Sequence, residues 1–137
     1  MAQSPASDAM KPGKAANLGL WVVQILLALA FVGAAFGKLL GKPEMVGLYE
    51  AIGVGQWFRY VTGLLELAGA ILIVVPRTKF FGAALLSMIM VGATLTHLFI
   101  LHNAPTAPVV LLLLAGIVAW GRREDFEPML ARFGVTS

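Results

Sequence analysis

Long apolar runs alternate with short polar breaks along this chain, and that alternation sets the expected architecture. Apolar stretches cover residues 18–40, 57–75, 80–101 and 104–121, each closed by a break carrying Gly, Pro, Asn or Arg. A helix needs about 20 mostly apolar residues to cross a hydrocarbon core of roughly 30 Å, so the pattern predicts four transmembrane spans, the last of them the shortest. Gly41, Lys42 and Pro43 end the first span, because Pro disfavours the α conformation before it and suits a first helical turn after it. The next residues place Met45, Leu48, Tyr49 and Ile52 on one side, which predicts a short amphipathic helix at the interface or folded back over the bundle. Residues 1–17 show no apolar periodicity and are expected to form a disordered tail. Residues 122–137 are charged, with Phe126, Met129, Leu130 and Phe133 at helical spacing, which predicts an amphipathic surface helix. The expected fold is thus all-α: an integral membrane four-helix bundle with a short amphipathic helix between spans 1 and 2 and a C-terminal surface helix. The first span is too long for a signal-peptide core and is expected to be retained.

Finer patterns lie inside the first span. Gln24, Ala28, Phe31, Ala35 and Lys38 recur at three- and four-residue steps and share one face, polar at both ends. Gly33, Gly37 and Gly41 form a second stripe at four-residue spacing, the pattern that lets helix backbones approach closely. Packing within the bundle and homodimerisation are both open to it.

Composition agrees with the pattern: 59% of the 137 residues are hydrophobic and 12% charged, about half the charge of an ordinary soluble domain. The net charge of +3 falls between apolar segments, where basic residues orient helices rather than bind nucleic acid. With four spans, Lys11, Lys14, Arg77, Lys79, Arg122, Arg123 and Arg132 share one side and Lys38, Lys42 and Arg59 the other. That imbalance predicts a cell-membrane protein with both termini cytoplasmic. The absence of cysteine excludes disulfides, thiolate nucleophiles and iron–sulfur clusters. His97 and His102 are five residues apart and would point in different directions on a helix, so no metal or haem site is expected.

The chemistry concentrates on Glu66, one carboxylate near the middle of the second span. An ionised side chain at that depth costs roughly 2.5–3.5 kcal/mol on insertion scales, so it needs a partner or a cavity. Lys38 and His97 reach a similar depth from the first and third spans, Arg59 lies near the start of the second, and the four can converge in the outer half. A lysine in a helix leans back toward its own N-terminus, which carries Lys38 toward Glu66. The plainer readings stand beside this one: Lys38 snorkelling to the headgroups, His97 as a satisfied bundle histidine, and a Lys–Glu pair that locks the bundle without binding anything.

Gly-x-x-x-Gly-Lys-Leu-Leu-Gly-Lys-Pro at 33–43, Ala-Ile-Gly-Val-Gly-Gln-Trp-Phe-Arg-Tyr at 51–60, Gly-Leu-Leu-Glu-Leu-Ala-Gly at 63–69 and a helix-borne His97 together resemble the DoxX-like family of small four-helix membrane proteins. The similarity runs over roughly residues 18–120 and implies Lys38, Glu66, Gly69 and His97 as characteristic positions. It implies, too, a link to quinone-coupled redox systems in some members, and in others a role as chaperone or receptor. Two readings follow. One is an ancillary redox subunit, not a self-sufficient enzyme, whose outer cavity is lined by Lys38, Glu66, His97 and Arg59. That cavity would bind a small lipophilic or anionic ligand such as a quinone, with no covalent cofactor and a partner membrane protein supplying the redox centre. The other is an interaction or assembly factor that stabilises another membrane protein and has no ligand chemistry of its own.

Overall fold

The computed structural model describes residues 12–125. They form α1 (Lys14–Leu39), α2 (Pro43–Ile52), α3 (Trp57–Val74), α4 (Lys79–Phe99) and α5 (Thr106–Gly121), followed by a single 3₁₀ turn at Arg123–Asp125. No strand occurs among the described residues. The expected C-terminal surface helix and nearly all of the expected N-terminal tail lie outside them.

Four helices close into a ring in which α1 packs on α3, α3 on α4, α4 on α5 and α5 on α1. The centre is filled by Leu27, Phe31, Ile73, Leu86 and Val118, with Ala28, Ala70, Ala83 and Ala115 between them. Small residues at those places bring the helix axes close, since lipid tails supply no hydrophobic drive for helices to associate and packing must do it. The outward faces are apolar as well: Leu26, Leu29, Leu113 and Phe99 are all more than half exposed. A bundle apolar on both sides is a membrane bundle. By length and composition α1, α3 and α4 are long enough to cross a membrane, while α5 is a shorter apolar helix of 16 residues, or about 24 Å.

Helix α1 starts at Lys14, four residues before the expected start of the span, with extended Gly13 as its N-cap. Asn17 is the reason the start holds, since its side chain and carbonyl both receive hydrogen bonds from Arg122. At the other end of α1, Gly41 turns at φ +72°, a value that favours glycine. Pro43 then begins α2 as its first residue. Helix α2 lies at one end of the bundle, which it shares with the α4–α5 loop. The opposite end carries Pro12, the α3–α4 turn and Asp125.

Glycine placement corrects part of the expected stripe. Gly33 has nothing within 4 Å of an added Cβ, because it faces away from the bundle, and Gly41 belongs to the turn rather than to a helix contact. Gly37 faces the side chains of Lys42 and Met45, and Gly69 admits Leu86. The tightest approach is elsewhere, at Gly82, where a Cβ would lie 2.3 Å from the backbone nitrogen of Ile73.

Candidate functional site

At the end of the bundle near α2, Lys38 of α1 and Glu66 of α3 meet. Lys38 Nζ lies 2.9 Å from Glu66 Oε1 and 3.1 Å from Oε2. Glu66 is 3% exposed and the Lys38 side chain 12%, so water screens this pair little. The direction of each side chain follows from its helix. Lys38 sits in the last turn of α1, on the face already buried through Gln24, Ala28, Phe31 and Ala35, and its stem runs back along that face. Glu66 shares the buried face of α3 with Gly63, Ala70 and Ile73. Gly63 lets the two helices approach, since a Cβ there would be 3.2 Å from Lys38 Cβ. An ammonium has three N–H donors, and a two-oxygen contact with one carboxylate leaves at least one of them for another acceptor.

A cavity of about 460 Å³ adjoins this pair. Its polar lining is Lys38, Glu66, His97, Tyr49, Thr62 and Thr96, and the remainder is apolar, with Met45, Met88, Met90, Phe31, Phe58 and Leu111 among the walls. Helix α2 forms one side and is held there by a 2.6 Å hydrogen bond between Tyr49 Oη and Thr62 Oγ1. Thr62 directs its own proton to the carbonyls of Phe58 and Arg59, so Tyr49 donates. Burial pushes the Tyr49 phenol above its ordinary value of 10.0, the Thr62 contact opposes this, and the Glu66 charge adds to it. The phenol is therefore a neutral donor at physiological pH. Gln56 Nε2 bonds the Val46 carbonyl at 3.0 Å and fastens α2 a second time.

His97 lines the same cavity but is not bonded to the Lys38–Glu66 pair. Its Nδ1 lies 2.6 Å from Asn103 Oδ1, while the Asn103 N–H donates to the His97 carbonyl at 3.0 Å. This double contact folds the α4–α5 loop against the end of α4. With Nδ1 donating to an amide oxygen, Nε2 carries the lone pair.

Arg59 takes a different place from the other three. It is 5% exposed, and its guanidinium donates to the Lys38 carbonyl and to Gln56 Oε1 (2.8 Å) while stacking over the Tyr60 ring at 4.4 Å. The Lys38 carbonyl also accepts a 3.3 Å hydrogen bond from the Gly41 N–H, and the Arg59 cation adds a favourable charge at this helix C-terminus. Arg59 thus fixes the backbone of the residue whose side chain reaches Glu66, and it lies outside the cavity lining. Serine and threonine in α4 behave as membrane-helix hydroxyls commonly do, with Ser87, Thr94 and Thr96 bonding back to Ala83, Met90 and Gly92 carbonyls.

A second polar cluster lies at the opposite end of the bundle. Gln24 is wholly buried and donates to the Ile73 carbonyl (2.7 Å), while Arg122 Nε donates to Gln24 Oε1 (2.8 Å) and its Nη1 to Asn17 Oδ1 (2.6 Å). Desolvation works against the Arg122 charge and the carboxylates of Glu124 and Asp125 favour it. Lys79 pairs with Asp125 at 2.9 Å. The sequence signal for this cluster was Gln24, a lone amide at the polar start of the first-span face; nothing local marked Arg122 or Asn17 as its partners. It joins α1, α3 and the end of α5, encloses no cavity near the Lys38–Glu66 pair, and reads as a structural tie. Among the described residues no group of three His, Cys, Asp or Glu side chains could hold a metal ion.

The family model that matches this chain is that of the DoxX-like family, over residues 22–120, which takes in the greater part of all four bundle helices and every residue of the cavity lining. No curated protein and no solved structure matches.

Proposed function

The chain belongs to the DoxX-like family, and from that premise we propose that it is an ancillary subunit of a quinone-linked membrane redox system, binding a small ligand beside Lys38 and Glu66. The observation that carries this reading is a buried ion pair with a spare donor in the wall of a largely apolar cavity of about 460 Å³. A pair serving only as a lock would be expected to be packed on all sides. A ring carbonyl fits this lining: Lys38 offers an N–H, and His97 Nε2 can accept from a hydroxyl when the ligand is reduced. Phe31 and Phe58 offer ring faces. A quinone bound here would carry electrons between partner proteins. The residues supply position: Lys38 holds an oxygen, Glu66 keeps Lys38 in place, and Asn103 orients the His97 ring.

Among the described residues Lys14, Arg77, Lys79, Arg122 and Arg123 lie at the end that carries Pro12 and Asp125, against Lys38, Lys42 and Arg59 at the other, which supports a cytoplasmic placing of the first end in a cell membrane, with the cavity in the outer half. Adding a benzoquinone to the purified protein in nanodiscs should raise its melting temperature, because a ligand at 100 times its Kd stabilises by about 2.7 kcal/mol. Lys38→Met together with Glu66→Leu should abolish that shift while the protein stays folded. If neither quinones nor small anions move the wild-type transition, and deleting the protein instead depletes a membrane partner, the assembly-factor reading replaces this one.

A further inference from the structure

Helices α3 and α4 are pinned together at the end that carries their turn. At the α3–α4 turn they touch backbone to backbone, with Gly82 against Ile73. Further along, Gly69 still receives the Leu86 side chain, 2.6 Å from where a Cβ would be. Nearer α2, Gly92 is exposed and nothing lies within 4 Å of a Cβ there. The cavity lies toward that end and takes lining from both helices, Thr62, Leu65 and Glu66 on α3 and Met88, Gly92 and Thr96 on α4.

Among its lining side chains, Leu65 on α3, 41% exposed, and Met88 on α4, 71% exposed, also face outward. A residue that lines a cavity and is exposed on the outside of the bundle marks where the cavity reaches the surface. Gly92, one turn from Met88 on the same edge of α4, lines the cavity and is exposed too, completing a rim with no side chain across it. Ala107, at the start of α5, lines the cavity and is exposed as well, and the α2 side is covered. Tyr49, Leu48 and Ile52 of α2 roof the cavity, held by the Tyr49–Thr62 bond, and the His97–Asn103 contact folds down the α4–α5 loop.

We infer that this cavity opens sideways into the bilayer between α3 and α4, and that its ligand is a lipophile whose uncharged polar head meets Lys38–Glu66 while its apolar tail lies across Gly92. This rests on the ligand-binding reading above and selects, between a lipophile and a water-borne anion, the lipophile. An ionised head on such a path would meet the roughly 2.5–3.5 kcal/mol penalty of charge in hydrocarbon. The Lys38–Glu66 pair is neutral as a unit and offers no net attraction to an anion. Methionine at the rim and along the wall adapts to tails of different shape.

The test compares a decyl-tailed benzoquinone with the same ring lacking the tail, titrated onto the full chain in nanodiscs. Wild type should bind both, the tailed form more tightly. Gly92→Phe places a ring in the opening from a position without close neighbours, and Met88→Trp does the same from one turn away. Each variant, with wild-type circular dichroism and melting, should weaken the tailed ligand by about tenfold or more and leave the tailless one near its wild-type affinity. Unchanged affinity for the tailed ligand in both variants, or an equal loss for both ligands, overturns the lateral opening. Failure of wild type to bind either ligand has a separate signature and overturns the ligand-binding reading itself.

Discussion

At the scale of single residues, the contact with most at stake is the one between Lys38 and Glu66. Removing one partner leaves a buried charge without compensation, and such losses are about 3–5 kcal/mol in proteins, whereas replacing both by apolar groups is often close to neutral. Glu66→Leu and Lys38→Met should therefore each lower the unfolding transition in detergent by several degrees, and the double variant should recover most of it. Single variants that melt like wild type would mean that the pair contributes nothing to the bundle. Tyr49 gives a prediction in pH. Its value is raised in the folded protein, so the stability it contributes is complete below 10.0 and is lost as pH climbs through the folded-state value. The chain has two tyrosines, so in a Tyr60→Phe background an alkaline absorbance titration reads Tyr49 alone. Its midpoint should lie above 10.0, and a midpoint at or below that value would mean that α2 does not bury the phenol.

At the scale of elements, the glycines divide by what stands opposite them. Gly82→Ala forces a Cβ into the backbone of α3, and overpacking of this kind costs about 1–3 kcal/mol. Gly92→Ala meets open space and should be neutral, or stabilising by up to about 1 kcal/mol through helix propensity. Parallel melting curves of the two variants decide this, and equal effects would contradict the backbone approach at Gly82. The sequence makes part of this legible. The buried face of α1, from Gln24 to Lys38, is readable from its spacing because a helix inside a bundle repeats its contacts every three to four residues. The choice among glycines was not readable. Gly33 and Gly82 look alike in one dimension, and only the way one helix packs on another decides which of them meets a backbone.

At the scale of the whole molecule, four apolar runs and a short amphipathic insert are enough to specify an all-α membrane bundle, because hydrocarbon leaves helices or closed barrels as the structures that can satisfy every backbone group. The meeting of Lys38 with Glu66 was also legible, since both are charges placed at one depth with few alternatives. The destination of Arg59 was not, because a guanidinium near a helix start can serve either a ligand or a neighbouring helix end, and what decided it was the end of α1 brought beside it at Lys38. Nor was the tie among Asn17, Gln24 and Arg122, whose members lie as far as 105 positions apart.

The contact at Gly82 acts as a fulcrum. Gly92 stands ten residues farther along α4, an arm of about 15 Å, so a tilt of about 5° moves the rim by about 1.3 Å. If the cavity holds a lipophile as proposed, small rocking of one helix would set the width of the gape, while the grip on the head, between α1 and α3, would not change. Selectivity in such a device resides in the head of its guest, and bulk behind it is tolerated by swing.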